Sequence, residues 1–254
     1  MVRTQLFFLS GFFILVSCKD TSPGSTPEIS LTEASEDTVG STLQIAEPPY
    51  IIDTLEQSLI DAGLVNIQDV APGILIDLRY STTHNFMEQD VYGHLNRAYL
   101  QPDVAEDLKK SLAFLQQKDS NLTLLIFDAV RPRSVQQIMW DVLDMPVNEK
   151  TKFVSNPQNG SVHNYGAAVD ITIATRNGEP LDMGAGYDEI GLIAYPRHEK
   201  AYLDSGMLSV AQIGNRKLLR ETMKAGGFSG IQTEWWHFNR YSRDICKTKY
   251  AIIE

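Results

Sequence analysis

Residues 161–170 read SVHNYGAAVD, a stretch that joins a polar loop to a strand. The loop covers residues 156–165, and the largely apolar run 167–173 has the length of a buried strand. His163 and Asp170 stand seven residues apart across this junction, and a turn can bring their side chains together. Imidazole nitrogens and carboxylate oxygens are both good zinc ligands, so the pair is a candidate part of a metal site. The alternative is a histidine that is only exposed or hydrogen-bonded, which is the commoner case for a lone histidine.

Strand and helix patterns alternate on both sides of this stretch. The sequence predicts further strands over residues 74–78, 122–127 and 233–238, and helices over residues 102–118, 134–143 and 210–225. Apolar residues recur at spacings of three and four in the first of these helices, and Pro102 stands at its start. The elements do not form regular βαβ units. We therefore expect an α+β fold in which helices pack around a small antiparallel sheet.

A second segment reads EWWH at residues 234–237. A catalytic zinc site has three protein ligands and a position open to water, with a nearby carboxylate to take a proton from that water. His163, Asp170 and His237 would form such a ligand set, and Glu234 would be the base. Residues three apart in an extended strand point to opposite faces, so a bend must turn Glu234 inward. The two tryptophans between Glu234 and His237 are also consistent with a place in the core.

A third segment reads DAVRP at residues 128–132, directly after a strand of buried type. An arginine fixed at the end of such a strand can stabilise the oxyanion of a tetrahedral intermediate, or bind a carboxylate through two hydrogen bonds. The same arginine can instead be a structural partner of Asp128. On these residues alone the two interpretations of Arg131 have similar weight.

The composition excludes one class of partner and sharpens the meaning of a metal site. The chain has 254 residues, 43% of them hydrophobic, and a formal net charge of −10. Nucleic-acid binding depends mainly on Lys and Arg that neutralise phosphates, so no nucleic-acid partner is expected. A chain of this length can bury a hydrophobic core without disulfides or a structural metal. A cluster of metal ligands therefore needs a functional explanation.

The N-terminal residues have the pattern of an export signal. Arg3 precedes an apolar run over residues 6–16, which has the length of a signal-peptide core and is too short to span a membrane. The run ends in LVSC at residues 15–18, which resembles the bacterial lipobox. We expect a lipoprotein signal peptide at residues 1–17 and a lipidated Cys18. The alternative is an ordinary secretory signal followed by a chance cysteine.

Residues 18–50 are rich in Ser, Thr, Pro and acidic residues and lack hydrophobic periodicity, as a flexible acidic tether does. The sequence indicates no oligomeric state. With Cys18 acylated, Cys246 has no partner for an intrachain disulfide. We expect a folded domain at residues 51–254 in the bacterial cell envelope, outside the cytoplasm, which contacts the membrane through the lipid anchor only.

Together these segments resemble a known family. SxHxxGxAxD at residues 161–170 with ExxH at 234–237 is similar to the LAS group of zinc D-alanyl-D-alanine peptidases. Further motifs are similar to its dipeptidase branch, the VanX type: LRYST at 78–82 followed by NF at 85–86, DxxRP at 128–132, and MGxxYD at 183–188. The resemblance covers residues 74–240, which is almost the whole expected domain.

The resemblance implies an LAS/Hedgehog-type fold that carries one Zn²⁺ per chain on its sheet. It implies that His163, Asp170 and His237 are the zinc ligands. Glu234 would be the general base and acid, and Arg131 would stabilise the tetrahedral intermediate.

The resemblance also implies the substrate contacts. Asp188 occupies the position that pairs with the free ammonium of the substrate in the dipeptidases. Ser161 and Tyr80 match substrate-contacting positions. His94 stands where the family can have a tyrosine near the pocket, and this departure leaves a contact there open.

The function expected from the resemblance is hydrolysis of the free dipeptide D-Ala-D-Ala to two D-Ala by a lipid-anchored enzyme, for turnover or scavenging of cell-wall peptide. One alternative is a zinc carboxypeptidase or peptidoglycan endopeptidase of the same fold, which Asp188 would discriminate. Another is an envelope-binding lipoprotein without catalysis, although all the metal and base positions are filled.

Overall fold

The computed structural model describes residues 52–151 and 154–254. The predicted signal peptide, Cys18 and the tether lie outside the described residues. In the described part of the chain, no helix is long and apolar enough to cross a membrane.

The described residues contain eight α-helices and four short 3-10 helices. The α-helices are α1 (Thr54–Asp61), α2 (Ile67–Val70), α3 (Pro102–Lys118), α4 (Arg133–Val142), α5 (Val147–Lys150), α6 (Glu199–Asp204), α7 (Val210–Ala225) and α8 (Arg243–Lys249). The 3-10 helices cover Arg79–Ser81, Val162–Tyr165, Leu192–Ala194 and Pro196–His198. The strands are β1 (Val65–Asn66), β2 (Leu75–Ile76), β3 (Tyr99–Leu100), β4 (Leu122–Asp128), β5 (Ala168–Thr175), β6 (Ser229–Gly230) and β7 (His237–Asn239).

The main sheet has the strand order β2-β4-β5-β7-β6. All neighbours in it are antiparallel except β2 and β4, which are parallel. A separate antiparallel pair is formed by β1 and β3. The α+β class with a small sheet is confirmed, and the sheet is antiparallel apart from this one edge pair.

The two long helices have the predicted bounds because their sequences carry clear start and stop signals. Helix α3 has Pro at its first position and buries its apolar face. Helix α7 begins with a capping box, in which the side chains of Ser209 and Gln212 each accept from the other's backbone N–H. The residue directly after α7, Gly226, lies close to α3, and a Cβ there would collide with the Asp107 carbonyl. Glycine is therefore required there.

Two predicted strands are shorter than expected. The predicted strand at 74–78 is reduced to β2, because the chain turns into a 3-10 helix at Arg79. The predicted final strand at 233–238 is wrong over most of its length. Bends occupy much of the segment before the strand hydrogen bonds begin at His237, and helix α8 follows the strand.

Candidate active site

The motif at residues 161–170 folds as a capped turn that leads into β5. The Ser161 hydroxyl accepts from the His163 N–H, at 3.1 Å, and the Asn164 side chain accepts from the Ser161 N–H, at 2.6 Å. Gly166 has a φ of +64°, which a side chain disfavours, and a Cβ there would come within 3.0 Å of Leu64. The turn thus places His163 beside the start of the strand that carries Asp170.

Three polar residues stand in one row across the centre of the sheet. Asp128 at the end of β4 is paired with Asp170 on β5, which in turn is paired with His237 on β7. The carboxylate of Asp170 (Oδ1) lies 3.0 Å from His237 Nδ1 and 3.3 Å from His163 Nε2. One ligand atom from each of His163, Asp170 and His237 lies within 4.8 Å of the other two. The predicted ligand set is brought together in space.

The outer nitrogen of each histidine is held by a hydrogen bond. His163 Nδ1 is 2.6 Å from the Ala129 carbonyl oxygen, and His237 Nε2 is 2.9 Å from Asn239 Oδ1. Because a carbonyl oxygen only accepts, these contacts place the ring protons on the outer nitrogens. The lone pairs of His163 Nε2 and His237 Nδ1 then face the same point as Asp170, as the ligands of a metal ion do.

Asp170 is held in its ionised form. Burial disfavours that form, but the charge that the rings carry when protonated and the hydrogen bonds that His163 and His237 then donate outweigh burial and hold the pKa of Asp170 well below its ordinary value. A cation at the point where the three side chains converge would take the place of these protons, and a carboxylate with two imidazoles is a donor set that suits Zn²⁺.

Glu234 reaches the same site from the bends before β7. Its Oε2 lies 3.9 Å from His237 Nδ1, and 24% of its side chain is exposed. Burial raises the pKa of Glu234 to about 7; His237 lowers it, and the charge of Asp170 adds to the rise. The bend required to turn this side chain inward is therefore present. The neighbouring Trp235 and Trp236 are both buried.

Arg131 is paired with Asp128, as one sequence interpretation expects, and the pairing leaves it turned towards the site. Its Nε and Nη2 donate to Asp128 Oδ2 at 2.9 and 2.6 Å. Its Nη2 also lies 3.4 Å from Asp170 Oδ2. Asp128 is completely buried and accepts a further hydrogen bond from the Tyr92 hydroxyl, at 2.8 Å. The guanidinium is therefore fixed from behind.

Asp188 and Tyr80 form another part of the site. The Tyr80 hydroxyl donates to the Asp188 carboxylate, at 3.1 and 3.2 Å from its two oxygens. Burial raises the pKa of Asp188 to about 7, and the charge of Asp170 adds to the rise. Asp188 also has a φ of +59°, in the left-handed region where backbone strain is stored.

All eight predicted metal, catalytic and substrate residues of the described part line one cavity of about 360 Å³. His94 is exposed and does not line it. Sequence reasoning missed Tyr92, Asn239 and Arg243, of which the last two also line the cavity. None of the three carries a motif of its own. Only the fold shows that these residues lie close to the ExxH and DxxRP motifs, so the sequence held no signal for them.

A family model and several known proteins are similar to this chain. A family model described as D-ala-D-ala dipeptidase, Peptidase_M15, matches residues 60–251. The D-alanyl-D-alanine dipeptidase of Escherichia coli (strain K12) is 35% identical over 175 residues, which cover 69% of this chain and 83% of that protein. Proteins of the same name from Enterococcus faecium and Streptomyces coelicolor are 26% and 28% identical, over 70% and 68% of this chain and 92% and 88% of theirs. The chain belongs to the Peptidase_M15 family of D-ala-D-ala dipeptidases.

Proposed function

We propose that this protein is a zinc-dependent dipeptidase that hydrolyses free D-Ala-D-Ala to two molecules of D-Ala. The observation that carries the proposal is the position of Asp188. This carboxylate lines the same cavity as the cluster of His163, Asp170 and His237. The cavity therefore combines three side chains that can hold a metal ion with a carboxylate that can pair with an ammonium.

One Zn²⁺ per chain would be held by His163 Nε2, Asp170 Oδ1 and His237 Nδ1, the atoms that converge. A bound Zn²⁺ polarises a carbonyl and lowers the pKa of water, which are the two requirements of amide hydrolysis near neutral pH. Ala129 and Asn239 keep the two histidines in the tautomers that such an ion needs.

Glu234 is proposed to move the proton. Its carboxylate takes a proton from the attacking water and returns it to the nitrogen of the leaving D-Ala. A group that does both is most efficient when its pKa lies near the working pH, and burial brings the pKa of Glu234 to about 7. Its half-buried place beside His237 gives it access to the cavity.

Arg131 is proposed to stabilise the negative charge that develops on the carbonyl oxygen. Its two hydrogen bonds to Asp128 fix the guanidinium in advance, so little reorganisation is needed as the charge forms. Ser161 lines the cavity beside His163, and its O–H remains free to donate to the substrate while its oxygen accepts from the backbone.

Asp188 is proposed to bind the ammonium of the substrate, while Tyr80 holds the carboxylate in place. An acylated substrate has no charge at this nitrogen and would leave the half-buried carboxylate with the Tyr80 hydroxyl but without a cationic partner. The arrangement therefore favours a free dipeptide over the end of a longer chain.

The function is tested by assaying the purified protein on D-Ala-D-Ala and on its N-acetylated form, with metal analysis of the same sample. We expect stoichiometric zinc and hydrolysis of the free dipeptide only. Faster cleavage of the N-acetylated peptide would instead support a carboxypeptidase or endopeptidase. Absence of zinc at neutral pH would remove the mechanism.

We further propose that residues 1–17 direct export, that Cys18 carries a lipid, and that residues 18–50 tether the enzyme in the cell envelope. An enzyme outside the cytoplasm meets dipeptide released from the cell wall, so scavenging or turnover is its proposed role. The full-length protein should partition with membranes, and Cys18→Ala should release it. Expression should let cells use external D-Ala-D-Ala, and unchanged growth would contradict this role.

A further inference from the structure

The cavity contains a second arginine that takes no part in the proposed chemistry. Arg243 is the first residue of α8, and its exposed side chain lines the cavity. Helix α8 packs against the 3-10 helix Val162–Tyr165, whose cap is Ser161. Arg243 therefore lies at the rim, on the side from which Ser161 also faces the cavity.

The charge of Arg243 is not used within the described residues. No carboxylate of that part of the chain lies within ion-pair distance of its guanidinium, although such pairs are formed by Arg131, Arg220 and Arg240. Arg131, the other arginine of the cavity, is held by Asp128 at 2.6 Å and faces Asp170 at 3.4 Å. Its positive charge is already shared between two carboxylates. Arg131 is thus balanced before substrate binds, and Arg243 is the cavity-lining arginine whose charge can still be matched by a full negative charge on the substrate.

The substrate class supplies that anion. A free dipeptide is a zwitterion, and the proposed function places its ammonium at Asp188. Its C-terminal carboxylate then needs a partner of its own, because a carboxylate taken into a cavity without one loses its hydration. A guanidinium binds a carboxylate through two parallel hydrogen bonds, which also fixes its orientation.

We propose that Arg243 binds the C-terminal carboxylate of the dipeptide and makes the enzyme specific for substrates that end in a free carboxylate. This inference rests on the proposed function and deepens it. The two ends of the substrate are recognised separately, by Asp188 in the loop after β5 and by Arg243 on α8. A substitution of Arg243 should therefore weaken binding of a substrate that has the C-terminal carboxylate, and should have no effect on a substrate that lacks it.

The test compares D-Ala-D-Ala with D-Ala-D-Ala amide, which differs only in the C-terminal charge. Arg243→Gln should raise KM for the free dipeptide about tenfold, as expected for a charge-assisted bond at a half-open rim, with kcat changed less than about twofold. It should leave kcat/KM for the amide unchanged. Arg243→Lys should recover part of the loss, because lysine keeps the charge without the fork. Lys247→Gln is the matched control, because it removes the same charge from the same helix away from the cavity. It should leave kcat/KM unchanged for both substrates.

An equal fall in kcat/KM of Arg243→Gln for both substrates, or no fall for either, would overturn the inference. Binding of the two compounds to the Glu234→Gln protein, measured by calorimetry with and without Arg243→Gln, gives a readout that needs no turnover. If the wild-type protein hydrolyses neither compound but binds the free dipeptide more tightly than the amide through Arg243, the proposed function fails and this inference stands. If the wild-type protein hydrolyses the dipeptide and Arg243→Gln changes neither hydrolysis nor binding, the proposed function stands and this inference fails.

Discussion

Replacing Asp188 with asparagine removes a formal charge from the cavity and changes little else. Asparagine has nearly the same shape, can still accept from the Tyr80 hydroxyl, and tolerates the left-handed backbone at φ +59° as well as aspartate does. The variant loses the partner of the substrate ammonium. Losing one member of a charge pair in a half-buried site costs about 2–3 kcal/mol, so kcat/KM for D-Ala-D-Ala should fall about 30- to 150-fold.

The same substitution should stabilise the fold at high pH. Burial raises the pKa of Asp188 from 3.8 to about 7, so the folded state favours the protonated form. The free energy of unfolding therefore falls as the pH rises from the pKa of Asp188 in the unfolded chain to its pKa in the folded protein, and it stays lower above pH 7. After a discount for partial exposure, the ionised carboxylate costs about 2 kcal/mol, which corresponds to about 4–8 °C in Tm. The amide of the Asp188→Asn variant does not ionise, so the variant does not bear this cost.

Thermal unfolding of both proteins at pH 4 and pH 8, beside steady-state kinetics at pH 8, checks the two effects together. We expect equal Tm values at pH 4, and a higher Tm for Asp188→Asn at pH 8 despite its lower activity. Glu189→Gln changes the exposed neighbouring carboxylate in the same cavity and should alter activity less than about twofold. Unchanged turnover by Asp188→Asn, or a lower Tm at pH 8, would refute the assignment of Asp188.

Three further outcomes are expected from the same site. On the acid side the logarithm of kcat/KM should fall with a slope approaching two, because Asp188 and Glu234 must both be ionised in the free enzyme, whereas kcat should fall with a slope of one. Both pKa values lie at about 7 without a metal ion and a bound dication lowers them, so the fall should begin below pH 7; a pH–rate profile with single slopes in both would contradict this. Glu234→Gln should lower kcat by about 10²- to 10⁴-fold with zinc content unchanged, while His237→Ala should lose the zinc itself, as metal analysis of both variants would show. Tyr92→Phe removes the hydroxyl that holds Asp128 behind Arg131, so kcat/KM should fall about three- to tenfold, and an unaltered value would mean that Arg131 needs no such support.

The elements that could be predicted from the sequence are those whose signals are local. The bounds of α3 and α7 follow from their own apolar periodicity and from their start and stop residues. The cluster of candidate metal and base residues could be predicted because histidine and carboxylate pairs at these spacings are uncommon, and because one turn and one bend are enough to bring them together. The lining of a single cavity by all eight predicted residues of the described part agrees with that reasoning.

What could not be predicted depends on contacts between distant segments. Strand β7 begins only at His237, because its length is set by hydrogen bonds to β5 and β6 rather than by the aromatic residues before it. Tyr92 meets Asp128 across 36 residues of chain. Asn239 lies only two residues from His237, but its contact with the ring of His237 depends on how β7 pairs in the sheet. Neither residue type is rare enough to be noticed in the sequence. Arg243 has the same character, since only the packing of α8 brings it to the cavity.

The cavity and the groups directly behind it carry more negative than positive charge. Burial raises the pKa values of Asp188 and Glu234, and the charge of Asp170 adds to both rises. Asp128, Asp170, Asp188 and Glu234 together with Arg131 have a formal charge of −3 when the four carboxylates are ionised and the imidazoles are neutral. A divalent cation and an ammonium together carry the charge that cancels it. Each therefore strengthens the binding of the other, because each lowers the cost of keeping the remaining carboxylate ionised. Zinc affinity should thus rise when the free dipeptide binds and should not rise with its N-acetylated form.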